Sequence, residues 1–261
     1  MTDCDDTAAQ LQVDPSDVVQ EGKNKGNSSS IVSLFEAETY AKTNDANINE
    51  LYDKMSQSDY EQFLVHINFT EPYHLRDAIV NLGLKQDVKI LDFGCGTGIV
   101  GYLLKDFGYT NIYGLDASEK FIKMINSNGI YKGGEALFLG QTSDGEGEDG
   151  EDKFPIKYHN EYDLVTGTGV FLAKHIPSTA FYDAYKALKL NGIFIFTLRS
   201  NLWVTKHELG YKDVIDTLVR DKKMEFIDTA SKTFWRGKEN GMIGSIFERQ
   251  QSKLFALRKI A

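Results

Sequence analysis

Residues 91–98 read LDFGCGTG, and this run constrains the fold more tightly than any other stretch of the chain. An apolar segment, 88–93, passes through one carboxylate, Asp92, into a turn of alternating glycines, and a helical pattern follows at 99–107. The spacing predicts a buried strand, a tight turn and a helix whose first N–H groups face whatever lies over the glycines. A second strand, 111–115, then ends in Asp116, at the offset where an acid after such a unit meets ribose hydroxyls. Together these features make a cradle for a nucleotide-type ligand.

The pattern continues along the chain. A helix at 118–128 has Ser118 as N-cap, Phe121, Ile122 and Ile125 on its apolar side, and Gly129 as its stop. A third strand is expected at 136–139, a fourth at 162–165, a helix at 178–188, a turn at 189–192 and a fifth strand at 192–198. The near-continuous apolar run of that fifth strand suits a sheet covered on both faces. A helix at 209–220 precedes two strand-like stretches, 224–235 and 246–258, joined without a helix, which predicts an antiparallel hairpin. Upstream, Leu51, Met55, Phe63, Ile67, Leu75, Ile79 and Leu82 recur at three- and four-residue steps, interrupted by Pro72, and predict two or three helices. The expected organisation is a polar tail (1–30), a helical segment (31–87, opening with a short helix at 31–40) and a core (88–261). The core carries an acidic loop (142–153) with six acids and one lysine.

Composition removes several function classes. With 41% apolar residues, 261 residues suffice for one core with tails. A net charge of −9 leaves no broad basic face, which argues against sequence-independent binding to duplex nucleic acid. Two cysteines, Cys4 and Cys95, give no disulfide framework, and Cys95 reads as a small residue in a tight turn. No metal-ligand spacing appears, and no run reaches the length of a membrane span. The acidic start points to a reducing, cytoplasmic or nuclear setting.

The combination DxGxGxG, strand, aspartate resembles the class I methyltransferases that bind S-adenosylmethionine. Within them the chain is similar to the Williams-Beuren syndrome critical-region methyltransferase-like proteins. That likeness rests on GTG at 96–98, GLDAS at 114–118, GIY at 129–131, LGQ at 139–141, GVF at 169–171, HIP at 175–177, TLRSN at 197–201 and Trp235. It implies a Rossmann-like α/β fold, with a seven-stranded, mostly parallel sheet ending in an antiparallel hairpin and helices on both faces.

The resemblance also implies roles. Gly94, Gly96 and Gly98 would border the methionine part of the cofactor, Cys95 would be a further cofactor-binding residue in that turn, and Asp92 would accept from the ammonium directly or through water. Asp116 would hold the ribose, Ala117 and Phe121 would border the adenine, and Gly140 and Gln141 would lie near its amine. Tyr52 and Tyr60 would close as a lid, or else pack helices together. Thr168 and Gly169 would lie near the transferred methyl, and Arg199 and Trp235 would contact substrate. His175 would serve as general base for an oxygen or protonated-amine acceptor; the structural alternatives are that His175 caps the next helix turn, Arg199 pairs with an acid and Trp235 fills the inner face of the hairpin. The stretch after the fourth strand reads GTGVF rather than DPPY or NPPY, which argues against nucleobase amines as acceptors and favours a small molecule or protein side chain.

Two rivals stand beside this reading. Gly96, Gly98 and Gly101 also spell GxGxxG, and Tyr182 and Lys186 spell the YxxxK of nicotinamide dehydrogenases, although Asp92 would crowd a pyrophosphate. The other is a non-catalytic protein that binds the cofactor and meets partners through its tail or acidic loop.

Overall fold

The computed structural model describes Tyr52 and residues 56–141, 153–237 and 249–261. The expected tail, the helix at 31–40 and positions 142–152 of the acidic loop lie outside the described residues. In chain order the elements are α1 (Gln57–His66), α2 (Glu71–Asn81), β1 (Ile90–Phe93), α3 (Ile99–Lys105), β2 (Ile112–Asp116), α4 (Glu119–Ser127) and β3 (Gly133–Ala136). They continue with β4 (Tyr162–Gly167), α5 (Ala180–Ala187), β5 (Leu188–Arg199), α6 (Tyr211–Arg220), β6 (Met224–Phe226), β7 (Lys232–Arg236) and β8 (Gln250–Lys259). Pro72 opens α2 rather than breaking it, since the first turn of a helix has no use for that N–H.

The sheet runs in the order β3-β2-β1-β4-β5-β8-β6, parallel from β3 to β5 and antiparallel where β8 meets β5. Both β6 and β7 also pair with β8, at opposite ends of the edge that β5 leaves open. They form one edge line broken by the 3₁₀ turn Asp228–Ala230, so eight strands occupy seven positions.

Strand alternation divides the core. Leu91, Phe93, Leu115, Val165, Phe194 and Phe196 pack on one face, while Ile90, Ile112, Leu164, Ile193 and Ile195 pack on the other. On the first face Phe171 meets Phe181 edge-on with ring centroids 4.8 Å apart. Below them, the Tyr211 hydroxyl donates to the carbonyls of Leu172 (3.1 Å) and Ile176 (2.8 Å). The loop between β4 and α5 is thereby tied to the core from underneath.

Two expectations are corrected. The third strand lies at Gly133–Ala136, not 136–139, because α4 packs directly on it. A Cβ at Gly134 would stand 2.5 Å from Ile125 and 3.0 Å from the Gly114 carbonyl, so the strand here is chosen by space rather than by apolar content. The expected turn at 189–192 is instead part of β5, which leaves α5 in extended conformation at Leu188. A register irregularity against β4 and a positive φ of 66° at Asn191 absorb the change of direction.

Candidate functional site

A cavity of about 330 Å³ opens at the C-terminal ends of β2, β1, β4 and β5, where ligands of open parallel sheets collect. Its floor is the glycine turn after β1. The backbone N–H groups of Gly94 and Cys95 donate to the Leu115 carbonyl at 2.7 and 3.2 Å, which straps the turn to β2. Gly96 adopts φ +52°, and a Cβ there would project to 3.8 Å from the Tyr60 hydroxyl, so a side chain would begin to fill the space. Asp116 completes this end: Oδ2 accepts from the Gly96 N–H and Oδ1 from the Ser118 N–H, both at 2.9 Å. Two fixed N–H donors therefore set the plane of the carboxylate. Ser118 also caps α4 through the Phe121 N–H, placing the Phe121 ring on the wall.

Tyr52, Tyr60, Phe121 and His175 form one aromatic group across the mouth. The Tyr60 and Phe121 centroids are 5.3 Å apart, and Tyr52 meets Tyr60 edge-on at 5.8 Å. His175 Nδ1 lies 3.0 Å from the Ala173 carbonyl, which can only accept, so Nδ1 carries the proton and Nε2 accepts from the Tyr52 hydroxyl at 2.9 Å. Removing that bond alone, in Tyr52→Phe, keeps the ring packing. Cofactor affinity, read by calorimetry, is expected to fall by no more than about fivefold, the worth of one hydrogen bond.

Further along, Thr197 organises the end of β4: its hydroxyl accepts from the Gly169 N–H at 3.0 Å and donates to the Thr168 hydroxyl at 3.3 Å. Ala117, Gln141, Cys95 and Arg199 also line the cavity. Cys95 is buried, and burial pushes its thiol pKa up, so it acts as a packing group beneath Asp116.

Four expected residues stand elsewhere. Asp92 has the strand parity of Ile90 and points away from the cavity, where Tyr131 donates to one carboxylate oxygen at 2.8 Å and Thr166 to the other at 2.7 Å. Direct contact with a ligand is therefore replaced by a structural link, since the Tyr131 hydroxyl in turn accepts from the Gly101 N–H at the start of α3. Gly98 is the N-cap of α3 and packs beside Tyr131 and Ile125 rather than facing the cavity. Gly140 is held against α5, its N–H donating to Asp183 and its carbonyl accepting from Thr179, both at 2.6 Å. Trp235 is 50% exposed on the outer side of β7, with the Arg249 guanidinium 4.7 Å above its ring.

Burial raises the Asp92 pKa from 3.8 to about 7, against the two hydroxyl bonds that favour the carboxylate. Between these values the acid is neutral in the fold and ionised in the unfolded chain. Its contribution to stability is therefore complete below about pH 4 and lost as pH rises towards 7. Asp92→Asn, neutral throughout, is expected to flatten this part of the profile in chemical denaturation; an unchanged slope would assign it to another group.

The residue beside Trp235 takes the inward place. Arg236 lines the cavity, and its Nε lies 3.1 Å from Glu71 Oε1, with both side chains almost wholly buried. Burial raises the Glu71 pKa, while Arg236 and Arg199 oppose the shift. Among the lining residues that the sequence reading missed are Arg236, Lys174 and Phe69. Only the period-two alternation of β7 signalled Arg236, and it does not say which of two neighbours faces inward.

Residues 65–239 match the family model described as methyltransferase domain. The chain belongs to that family. Human methyltransferase-like protein 27 is 24% identical over 167 residues, covering 63% of this chain; the chain spans 61% of that relative's length. Among solved structures it is similar to a TehB-like SAM-dependent methyltransferase from Corynebacterium glutamicum, with 19% identity, 72% and 88% coverage of the two chains and a TM-score of 0.46. It is also similar to magnesium protoporphyrin IX methyltransferase from Synechocystis with bound SAM, with 14% identity, 92% and 100% coverage and a TM-score of 0.49.

S-adenosylmethionine is the cofactor of this methyltransferase family member. The residues present fit it: a glycine floor with space above Gly96, and a carboxylate fixed at the end of β2. The YxxxK pair of the dehydrogenase reading does not enter the site, since Tyr182 is packed in the core on α5 and neither residue lines the cavity.

Proposed function

We propose that the protein transfers a methyl group from S-adenosylmethionine to a small molecule or a protein side chain. The observation that carries this reading is the continuity of one cavity from Asp116 and Gly96, past Thr168 and Gly169, to His175 and Arg199. A binding module needs only the first part. At about 330 Å³ the cavity is at the small end of ligand sites, which favours a compact acceptor over an extended nucleic acid.

The bound cofactor supplies an electrophilic methyl on a sulfonium. The chain's part is to hold the acceptor in line, keep water out and give its proton a path. Tyr52 and Tyr60, resting on Phe121, serve as the lid. His175 Nε2 is the proton acceptor of the site, and it is reached through the Tyr52 hydroxyl that already points at it. We place Gln141 near the adenine amine and the protein in the cytoplasm or nucleus, with the acidic segment 142–153 as a contact for basic partners.

The direct test is calorimetric titration with S-adenosylmethionine, S-adenosylhomocysteine and NADPH. Micromolar binding of the two adenosyl compounds and not NADPH is expected. Preference for NADPH, or binding of none, would overturn the reading.

A further inference from the structure

Helix α1 and the corner after it carry apolar residues at 60, 63, 64 and 67, the steps of one helical stripe. Phe63, Leu64 and Ile67 are buried, yet they join neither of the two cores that flank the sheet. They cluster with Tyr60 and Phe69, and all five line the cavity. On the other side of the helix Val65 is 67% exposed. A helix of a globular domain usually lays such a stripe on the core, and here the stripe covers the site instead.

The end of the stripe is fixed. Asn68 takes a positive φ of 51°, its N–H donates to the Val65 carbonyl at 3.1 Å, and the Phe69 N–H donates to the Leu64 carbonyl at 3.0 Å. These bonds make a Schellman ending, in which the residue after the left-handed one packs back on the helix, here Phe69 on the α1 cluster. The Asn68 side chain donates to the Gly237 carbonyl at 3.1 Å, and Glu71, two residues beyond Phe69, holds Arg236. From the opposite side, a Cβ at Gly169 would stand 2.4 and 2.5 Å from Cζ and Cε2 of Phe69, so only a glycine admits the ring. The Gly169 N–H is tied in turn to the Thr197 hydroxyl. Phe69 is thus a rigid wall, set against the residue that the family resemblance places near the transferred methyl.

We infer that Phe69 is a specificity-determining residue of the methyl transfer, and that the acceptor is a small molecule whose apolar body lies against Phe69 and the α1 stripe. This deepens the methyltransferase reading above and rests on it. Apolar surface on the stripe is taken from water when an apolar body covers it, which favours such an acceptor and keeps the site dry. Because the ring is held on both sides, its size limits how large a body reaches Gly169.

The test uses the full chain saturated with S-adenosylhomocysteine, titrated by calorimetry with phenol, 2-naphthol and, as a polar probe, glycerol. The wild type is expected to bind phenol, 2-naphthol or both, and not glycerol. Phe69→Ala is expected to shift the ratio of 2-naphthol to phenol affinity at least tenfold towards the larger probe, the scale on which apolar pockets discriminate by size. Phe69→Leu shifts it less in the same direction and Phe69→Trp shifts it the other way; these two keep an apolar group on the cluster and read the same ratio if Phe69→Ala does not fold. S-adenosylhomocysteine affinity stays within twofold of wild type throughout, and Val65→Ala, on the outer side of α1, changes nothing. Absence of binding by both aromatic probes, or an unchanged ratio in the Phe69 variants, would overturn the inference. So would a tenfold loss of S-adenosylhomocysteine affinity in Phe69→Leu, which would assign the ring to the cofactor. Failure of the wild type to bind S-adenosylhomocysteine at all would instead sink the methyltransferase reading beneath it.

Discussion

Replacing Glu71 with alanine is expected to lower the unfolding free energy by about 3–5 kcal/mol, the cost of leaving one member of a buried ion pair alone. Glu71 is 2% exposed and is the carboxylate that faces the Arg236 guanidinium at 3.1 Å. Without it Arg236 stays buried with its counter-ion removed. The exposed pair of Lys123 and Glu119 on α4 is the natural control, since Lys123→Ala touches only a solvated i,i+4 contact and should leave the midpoint unchanged. Replacing both members of the buried pair, as Glu71→Leu with Arg236→Met, is expected to recover most of the lost stability, because no unpaired charge remains. Urea denaturation of the three variants distinguishes these outcomes. Equal midpoints for Glu71→Ala and the double variant would mean that the loss comes from packing. The pair joins the start of α2 to the edge strand β7, so its loss is also expected to loosen the wall that carries Arg236.

How much of this was legible in the sequence follows from the range of the forces involved. The strand–turn–helix of 90–105 is local: its glycine spacing and apolar periods are written side by side, and its boundaries agree to within two residues. Ser118 was readable as a cap for the same reason. The third strand was not, because Gly133 and Gly134 carry no strand signal and are selected by the approach of α4. The apolar Leu137 and Leu139 that suggested a strand line the cavity instead. Asp92 was assigned to the ligand because it stands beside the glycines, yet its parity on β1 turns it towards Tyr131, 39 residues on. Arg236 and Trp235 show the same limit. Alternation states that neighbours face opposite ways, but which one enters the site is decided by Glu71, on an element far upstream.

Asp116→Ala is expected to weaken S-adenosylmethionine and S-adenosylhomocysteine binding by on the order of 100-fold or more, since two hydrogen bonds to a charged acceptor are worth about 1.5–3 kcal/mol each. Each carboxylate oxygen accepts one backbone N–H, from Gly96 or Ser118, which fixes the group at the end of β2 where the ribose is proposed to sit. The two N–H donors keep both oxygens in place before the ligand arrives, so little ordering remains to be done on binding. Substitution is therefore expected to remove the ribose contacts proposed for Asp116 and to slacken the turn that forms the floor. Asp116→Asn separates these effects poorly, because one of the two N–H groups would then face an amide donor. A thermal unfolding scan supplies the control, with a loss of about 1–3 kcal/mol expected for two backbone donors left without their acceptor. Unchanged cofactor affinity in a folded Asp116→Ala protein would remove the ribose assignment. It would shift the recognition onto Phe121, Ala117 and Gln141 at the other side of the same wall.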